Sequence, residues 1–139
     1  MSFVLDSSVA LSWCFRDEQR PESLQVLDRA RTEVIVVPGL WHVEMANVLG
    51  LAFRRHRLDE SDLRIALRMF ATLRLNTDTA VQSIHASVLL PLMQAYSLTA
   101  YDAVYLELAL RRNLPLATLD AELAAVAKEA GAALLCPQD

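Results

Sequence analysis

The sequence predicts an α/β protein, a three-layer α/β/α sandwich on a mainly parallel sheet. Three observations lead there. Phe3-Val4-Leu5, Val34-Ile35-Val36-Val37 and Leu116-Ala117-Thr118-Leu119 are short apolar runs with the length and two-faced apolarity of buried parallel strands. Segments with helical spacing of apolar residues alternate with them, and alternation of this kind is most economically met by helices covering both faces of one sheet. The chain of 139 residues is 54% hydrophobic, enough to bury a sizeable core as one domain over residues 1–139 without disulfides or a structural metal.

The first strand ends on Asp6-Ser7-Ser8, and Val9 to Phe15 comes next as a first helix or turn. Arg16 to Arg20 reads as a charged loop, and Pro21 opens a helix to about Arg31 from the position proline tolerates best. After the second strand, Pro38-Gly39 gives way to a long helix from Leu40 to about Arg57. Leu40, Glu44, Val48 and Leu51 stack along one line of it, which puts a glutamate beside its apolar stripe. Asp59 or Ser61 caps a helix from about Asp62 to Leu73. Asn76-Thr77-Asp78 reads as a turn before a further helix from Thr79 to about Tyr96. Thr99 N-caps a helix apolar on nearly every side from Ala100 to Leu110, and Asn113-Leu114-Pro115 stops it. The last strand leads to a helix from Ala121 to Ala130 closed by Gly131, with Ala133-Leu134-Leu135 as a short final strand.

No apolar run approaches the roughly 20 residues needed to span a membrane, and Asp6 stands where a signal peptide would be apolar. A cytoplasmic protein is therefore expected, with Cys14 and Cys136 as free thiols. The net charge of −4 supplies no global field for nucleic acid. Nearly all the basic charge is arginine, however, the side chain suited to bidentate phosphate contacts.

Four acids stand out by position. Asp6 and Asp120 come directly after strands, Asp102 lies in the first turn of a buried helix, and Glu44 sits on a half-buried helix face. Each has an ordinary explanation: Asp6 and Asp120 could cap the turn or helix after them, Asp102 could complete a capping box with Thr99, and Glu44 could pair with an arginine. Taken together they point elsewhere, because a parallel sheet sends its strand ends, and the starts of the next helices, to one edge. Carboxylates crowded there raise one another's pKa unless a cation neutralises them. Oxygen ligands without histidine or cysteine suit Mg²⁺ or Mn²⁺ rather than Zn²⁺. Such an ion can activate water for in-line displacement at a phosphodiester. Ser8 and Thr118 offer supporting hydroxyls, or simply cap.

Val-Leu-Asp6-Ser-Ser8, Glu44, Thr99-Ala-Tyr101-Asp102-Ala103-x-Tyr105 and Leu116-Ala-Thr118-Leu-Asp120 together resemble the PIN-domain pattern, and more narrowly the VapC-type toxins of bacterial toxin–antitoxin pairs. The resemblance runs over essentially the whole chain. It implies a Mg²⁺- or Mn²⁺-dependent ribonuclease that cleaves RNA and is restrained by a small antitoxin wrapped over its active site. Asp6, Glu44, Asp102 and Asp120 would be the catalytic, metal-binding acids, with Ser8 and Thr118 supporting them. No acidic position departs from the pattern, so nothing in it suggests an inactive member.

Other readings fit less of the chain. His42-Val43-Glu44 opens like a zinc-deaminase signature, but the Pro-Cys-x-x-Cys half is missing. A phospho-acceptor receiver would need adjacent acids after the first strand, and an Asp-x-Asp phosphatase would need an acid at Ser8. A catalytically silent PIN-like protein-binding module is the alternative that survives. Arg54, Arg55, Arg57, Arg111 and Arg112 are candidates for RNA contact, although cations at helix ends also have a purely local role and those ends lie a helix length from the acids. Tyr101, Tyr105 and Trp41 could stack bases or fill the core. Ala66 to Phe70 with Leu73 forms an apolar face that could pair two copies as a homodimer or belong to the core.

Overall fold

The computed structural model describes residues 1–135. Its element order is β1 (Ser2–Leu5), α1 (Ser7–Cys14), α2 (Pro21–Ala30), β2 (Val34–Val37), α3 (Gly39–Arg54), α4 (Glu60–Thr72), β3 (Arg74–Thr77), α5 (Ala86–Tyr96), α6 (Ala100–Arg112), β4 (Leu116–Ala117) and α7 (Ala121–Glu129), with single 3₁₀ turns at Arg16–Glu18 and Val81–Ile84. All four strands run parallel in the order β3-β2-β1-β4. The predicted helix-flanked parallel sheet is therefore what the chain forms.

Burial explains the strand identities. Phe3, Val4, Leu5, Ile35, Val37, Leu116 and Ala117 are inaccessible to solvent, as expected where helices cover a parallel sheet. On α6, Ala103, Val104, Tyr105, Leu106, Leu108 and Ala109 are buried, so this helix is the core element its composition indicated. Its end is set by Asn113, which adopts the left-handed conformation at φ 50° and whose N–H is donated to the carbonyl of Ala109. Gly131, at φ 94°, closes α7 in the same way.

Four expectations need correction. Asn76-Thr77, read as part of a turn, belongs to β3, whose Arg74 and Asn76 are exposed and whose Leu75 and Thr77 are only half-buried. An edge strand needs one apolar face at most, and its pairing with β2 supplies the hydrogen bonds that its composition does not advertise. The helix expected from Thr79 begins instead at Ala86, because Ser83 Oγ donates to the Ala80 carbonyl at 2.6 Å and holds the preceding segment as a 3₁₀ turn. Ala66 and Phe70, offered as part of a face for a second copy, pack inside the chain: Phe70 meets Trp41 edge-to-face at 5.5 Å and Trp13 at 6.4 Å. On that helix Ile65 and Leu67 are the large apolar side chains that face outward. Ala133-Leu134-Leu135 contributes a single parallel bridge, Leu134 to Leu116, rather than a strand.

Among the described residues no helix is long and apolar enough to cross a membrane. Cys14 is a free thiol whose burial pushes its pKa up to about 11. Cys136 lies outside the described residues.

Candidate active site

Sheet order decides where a site can form. From β1 the chain builds outward to β2 and β3, then returns to add β4 on the other side of β1. The connections therefore reverse direction between β1 and β4, which opens a crevice beyond their carboxyl ends, the usual ligand position in an open α/β sheet. Asp6 leaves β1 there, its N–H bonded to the Ala117 carbonyl of β4 at 3.0 Å. Thr118 and Asp120 come directly after β4.

Asp6 is a carboxylate with 5% exposure in the core of this crevice. Burial raises its pKa; the hydroxyls of Thr118 and Ser8, each donating to Oδ2 at 2.7 Å, oppose that rise, and the charge of Asp120 adds to it. It is the N-cap residue of α1 by position, yet its side chain makes no capping bond. Capping is at most a minor part of how this nearly inaccessible acid is held: the Ser8 backbone lowers its pKa less than the Thr118 and Ser8 hydroxyls do. The two hydroxyls are linked onward: Thr118 Oγ1 accepts from the Asp120 N–H at 3.0 Å, and Ser8 Oγ from the Leu119 N–H at 3.1 Å. A hydrogen-bonded frame therefore ties the ends of β1 and β4 to one carboxylate oxygen.

For Asp120 the capping explanation holds: its Oδ1 accepts the N–H groups of Glu122 and Leu123 at 2.9 and 3.1 Å. Both bonds use the same oxygen, so capping fixes the carboxylate without consuming it. Thr99 caps α6 through the Asp102 N–H at 3.3 Å. The carboxyl of Asp102 is pushed up to about 6, by burial first and then by the charges of Asp120, Asp6, Glu44 and Glu122. Every one of these influences disfavours the charged form.

Glu44 takes the Tyr105 hydroxyl on Oε1 at 2.5 Å, and Ser7 also hydrogen-bonds to it. Its pKa is raised by burial, lowered by Tyr105, raised again by the charge of Asp6 and lowered by Ser7. Tyr105 is 1% exposed, so the base-stacking role open to it in the sequence is closed; it is the residue that orients Glu44. Ser7, buried between two conspicuous neighbours, was missed because nothing in its spacing distinguishes it from a turn serine. Glu122 was missed because its field reaches Asp102 only through the fold.

The four acids thus act on one another electrostatically at a single edge. Among the described residues no three acids, histidines or cysteines stand close enough to be joint ligands of one ion as placed. Mg²⁺ does not require that, since it keeps several waters and is commonly held by one or two carboxylates. Donor chemistry fits likewise: His42, the histidine nearest in sequence, is bonded to Thr77 Oγ1 at 2.8 Å, so the edge presents oxygens.

The basic candidates separate. Arg111 bonds Glu107 at 2.7 Å and Asp78 at 2.7 Å, and Arg112 lies 3.8 Å from Asp78, which commits this pair to joining α6 to the end of β3. Arg54 and Arg55 are exposed at the end of α3. Arg57 instead lines a cleft of about 510 Å³ together with Ser8 and Asp120. Its guanidinium lies 4.1 Å from the centre of the Phe15 ring and meets Asp17 at 2.9 Å and Glu18 at 3.3 Å. Past the turn at His56, φ 58°, Arg57 sits three residues after the end of α3 and meets the residues that follow α1, at the opposite end of that helix from Asp6.

An all-parallel α/β domain with a switch point between β1 and β4 is an open-sheet α/β protein, and the four candidate acids act on one another electrostatically there. The chain belongs to the PIN domain family, whose model matches residues 3–129. Among solved structures it is similar to PAE2754 from Pyrobaculum aerophilum (TM-score 0.70, 22% identity, covering 97% of this chain and 84% of that one). It is also similar to a toxin–antitoxin complex from Klebsiella pneumoniae (0.57, 24%, 85% and 86%). A third similar structure is VapBC2 from Rickettsia felis bound to a DNA fragment from their promoter (0.60, 14%, 91% and 93%). A search of curated protein sequences gives no significant match.

Proposed function

We propose that this chain is a divalent-metal-dependent endoribonuclease and the toxin of a toxin–antitoxin pair, restrained by a small antitoxin protein. The observation that carries the reading is the mutual field at the switch point, where Asp102 is pushed up to about 6 by burial and by Asp120, Asp6 and Glu44. Acids arranged this way are stable together when a cation sits among them. Membership of the PIN domain family and similarity to toxin–antitoxin structures support it.

Asp6, Asp102, Asp120 and Glu44 would hold Mg²⁺ or Mn²⁺, directly or through its waters. When bound, such an ion lowers the pKa of a water and offsets charge on the phosphoryl oxygens. Ser8 and Thr118 fix the rotamer of Asp6, the capping bonds fix Asp120, and Tyr105 with Ser7 fixes Glu44. In hydrolysis a water oxygen bonds phosphorus as the ester oxygen on the opposite side leaves, so an in-line path must stay open above these carboxylates.

Expression should arrest growth and be relieved by co-expression of a neighbouring small open reading frame. The purified chain should cut RNA and leave DNA of the same sequence intact. RNA left whole with either ion present would overturn the reading. Within it, Tyr105→Phe is expected to raise the Mg²⁺ concentration for half-maximal cleavage about 10-fold, as outer-shell substitutions do, with RNA binding unaltered. An unchanged metal requirement would show that Tyr105 only packs.

A further inference from the structure

We propose that Tyr101 is a base-stacking residue: a nucleobase next to the scissile phosphate lies on its ring, in the groove between the starts of α3 and α6. The inference rests on the ribonuclease reading and deepens it by assigning the place of one substrate base.

The groove has a volume of about 450 Å³, within the range of small-molecule sites. It is lined by the start of α3 with Leu40, by the 3₁₀ turn with Ile84, and by the start of α6 with Tyr101 and Val104. Two of these elements carry it to the acids. Tyr101 directly precedes Asp102, which sets their Cα atoms about 3.8 Å apart. Leu40 lies one helical turn before Glu44 on the same line of α3. A nucleotide whose phosphate sits at the acids therefore carries its base, one ribose away, to the mouth of this groove.

Among the described residues the exposed aromatic side chains are Phe53, at the far end of α3, and Tyr101, at 63%. The Tyr101 hydroxyl makes no hydrogen bond there, and its ring meets no other ring. Single apolar side chains on a surface are common. A ring that borders both an apolar groove and a centre for phosphate chemistry has the layout of a stacking platform. Trp41, 3% exposed and packed edge-to-face on Phe70, is closed to such a role, as Tyr105 is. Charge narrows the occupant further. Asp78 is the one charged residue among the described residues that line the groove, and Arg111 at 2.7 Å and Arg112 at 3.8 Å offset it. The groove thus offers no free cation to a phosphate and no free acid to a basic peptide, and the part of a nucleotide that suits it is the flat, uncharged base. An apolar protein side chain would also fit the walls, but on the ribonuclease reading the phosphate is held next door and its base travels with it.

The test is steady-state cleavage of an end-labelled single-stranded RNA of defined sequence by the full chain in Mg²⁺. Tyr101→Ala should raise KM about 10-fold, within the range for one stacked base, with kcat little changed, as for a contact made equally in ground and transition states. Tyr101→Phe, which keeps the ring, should match wild type. An abasic nucleotide is then placed in turn at each position flanking the cleaved bond. At one of them wild type should lose the same factor of about 10, and Tyr101→Ala should lose nothing further, because the contact is already gone. Leu24→Ala, an exposed apolar truncation on α2 outside the groove, should match wild type throughout. Tyr101 is largely exposed, so its truncation leaves no cavity in the core. Wild-type cleavage with KM unaltered in Tyr101→Ala, or abasic penalties that are the same in both proteins, overturns the stacking role and leaves the groove to a protein partner. A loss in Tyr101→Phe equal to that in Tyr101→Ala assigns the effect to the hydroxyl and overturns it likewise. Absence of wild-type cleavage overturns the ribonuclease reading, and this role with it.

Discussion

Asp102→Ala is expected to abolish RNA cleavage, a loss of at least about 10³-fold in kcat, comparable to or larger than removal of one charge-stabilising group in other active sites. The reason lies in its surroundings. Asp6 has two hydroxyls, Glu44 has Tyr105, and Asp120 has two backbone N–H groups, whereas Asp102 is subject only to burial and to the charges of other acids. It is the carboxylate with most to gain from a cation. The same imbalance predicts an opposite effect on stability: without metal, Asp102→Asn should raise the melting temperature. Allowing for solvent screening of a partly exposed group, the gain is about 1 kcal/mol, or roughly 4 °C for a chain of this size. Retained cleavage in Asp102→Ala would remove this residue from the site. A lower melting temperature in Asp102→Asn would mean that its charge is favourably bound within the fold.

Removing divalent ions should have an equally large effect, with cleavage lost in excess chelator and restored by Mg²⁺ or Mn²⁺. Ion present at about 100 times its dissociation constant stabilises the native state by about 2.7 kcal/mol, readable as a shift in melting temperature. The pH dependence has a defined sign. The native Asp102 carboxyl keeps its proton up to about pH 6, whereas an unfolded aspartate loses it near 3.9. The native state binds more protons between those values, so this group makes the metal-free protein less stable as pH rises from about 4 to about 6. With ion bound the trend reverses, because only the deprotonated acid is a ligand. The difference between wild type and Asp102→Asn isolates the contribution. Stability of the metal-free wild type that rises relative to the variant across that window would contradict the crowding of charge.

Much of this was readable in the residues because the signals were local. Short apolar runs mark β1 and β2, the second wholly β-branched, Thr99 marks the start of α6, and Gly131 marks the end of α7. Asp6, Asp102 and Asp120 stand out because carboxylates at the ends of apolar elements are uncommon. What escaped was set by contact at a distance. β3 owes its state to pairing with β2, and Tyr105 its role to a glutamate 61 positions away. The strand order was also illegible, since short apolar strands do not say which neighbour they take. That order places the switch point between β1 and β4. Arg57 shows what spacing leaves out: counting residues along α3 put it a helix length from the acids, but not against Phe15, Asp17 and Glu18, some 40 positions away in sequence.

The frame around Asp6 also bears on when the protein becomes competent. Thr118, whose hydroxyl helps hold that carboxylate, lies near the opposite end of the chain, on the strand that enters the sheet last in sequence. Contacts so distant in sequence carry a large loop-closure cost and form late in folding. A growing or truncated chain that stops before β4 already carries Asp6, Glu44 and Asp102, but lacks both the hydroxyl and the fourth acid. On the proposed function, activity would arrive with about the last sixth of the chain rather than accumulating as it is made, a built-in delay during synthesis.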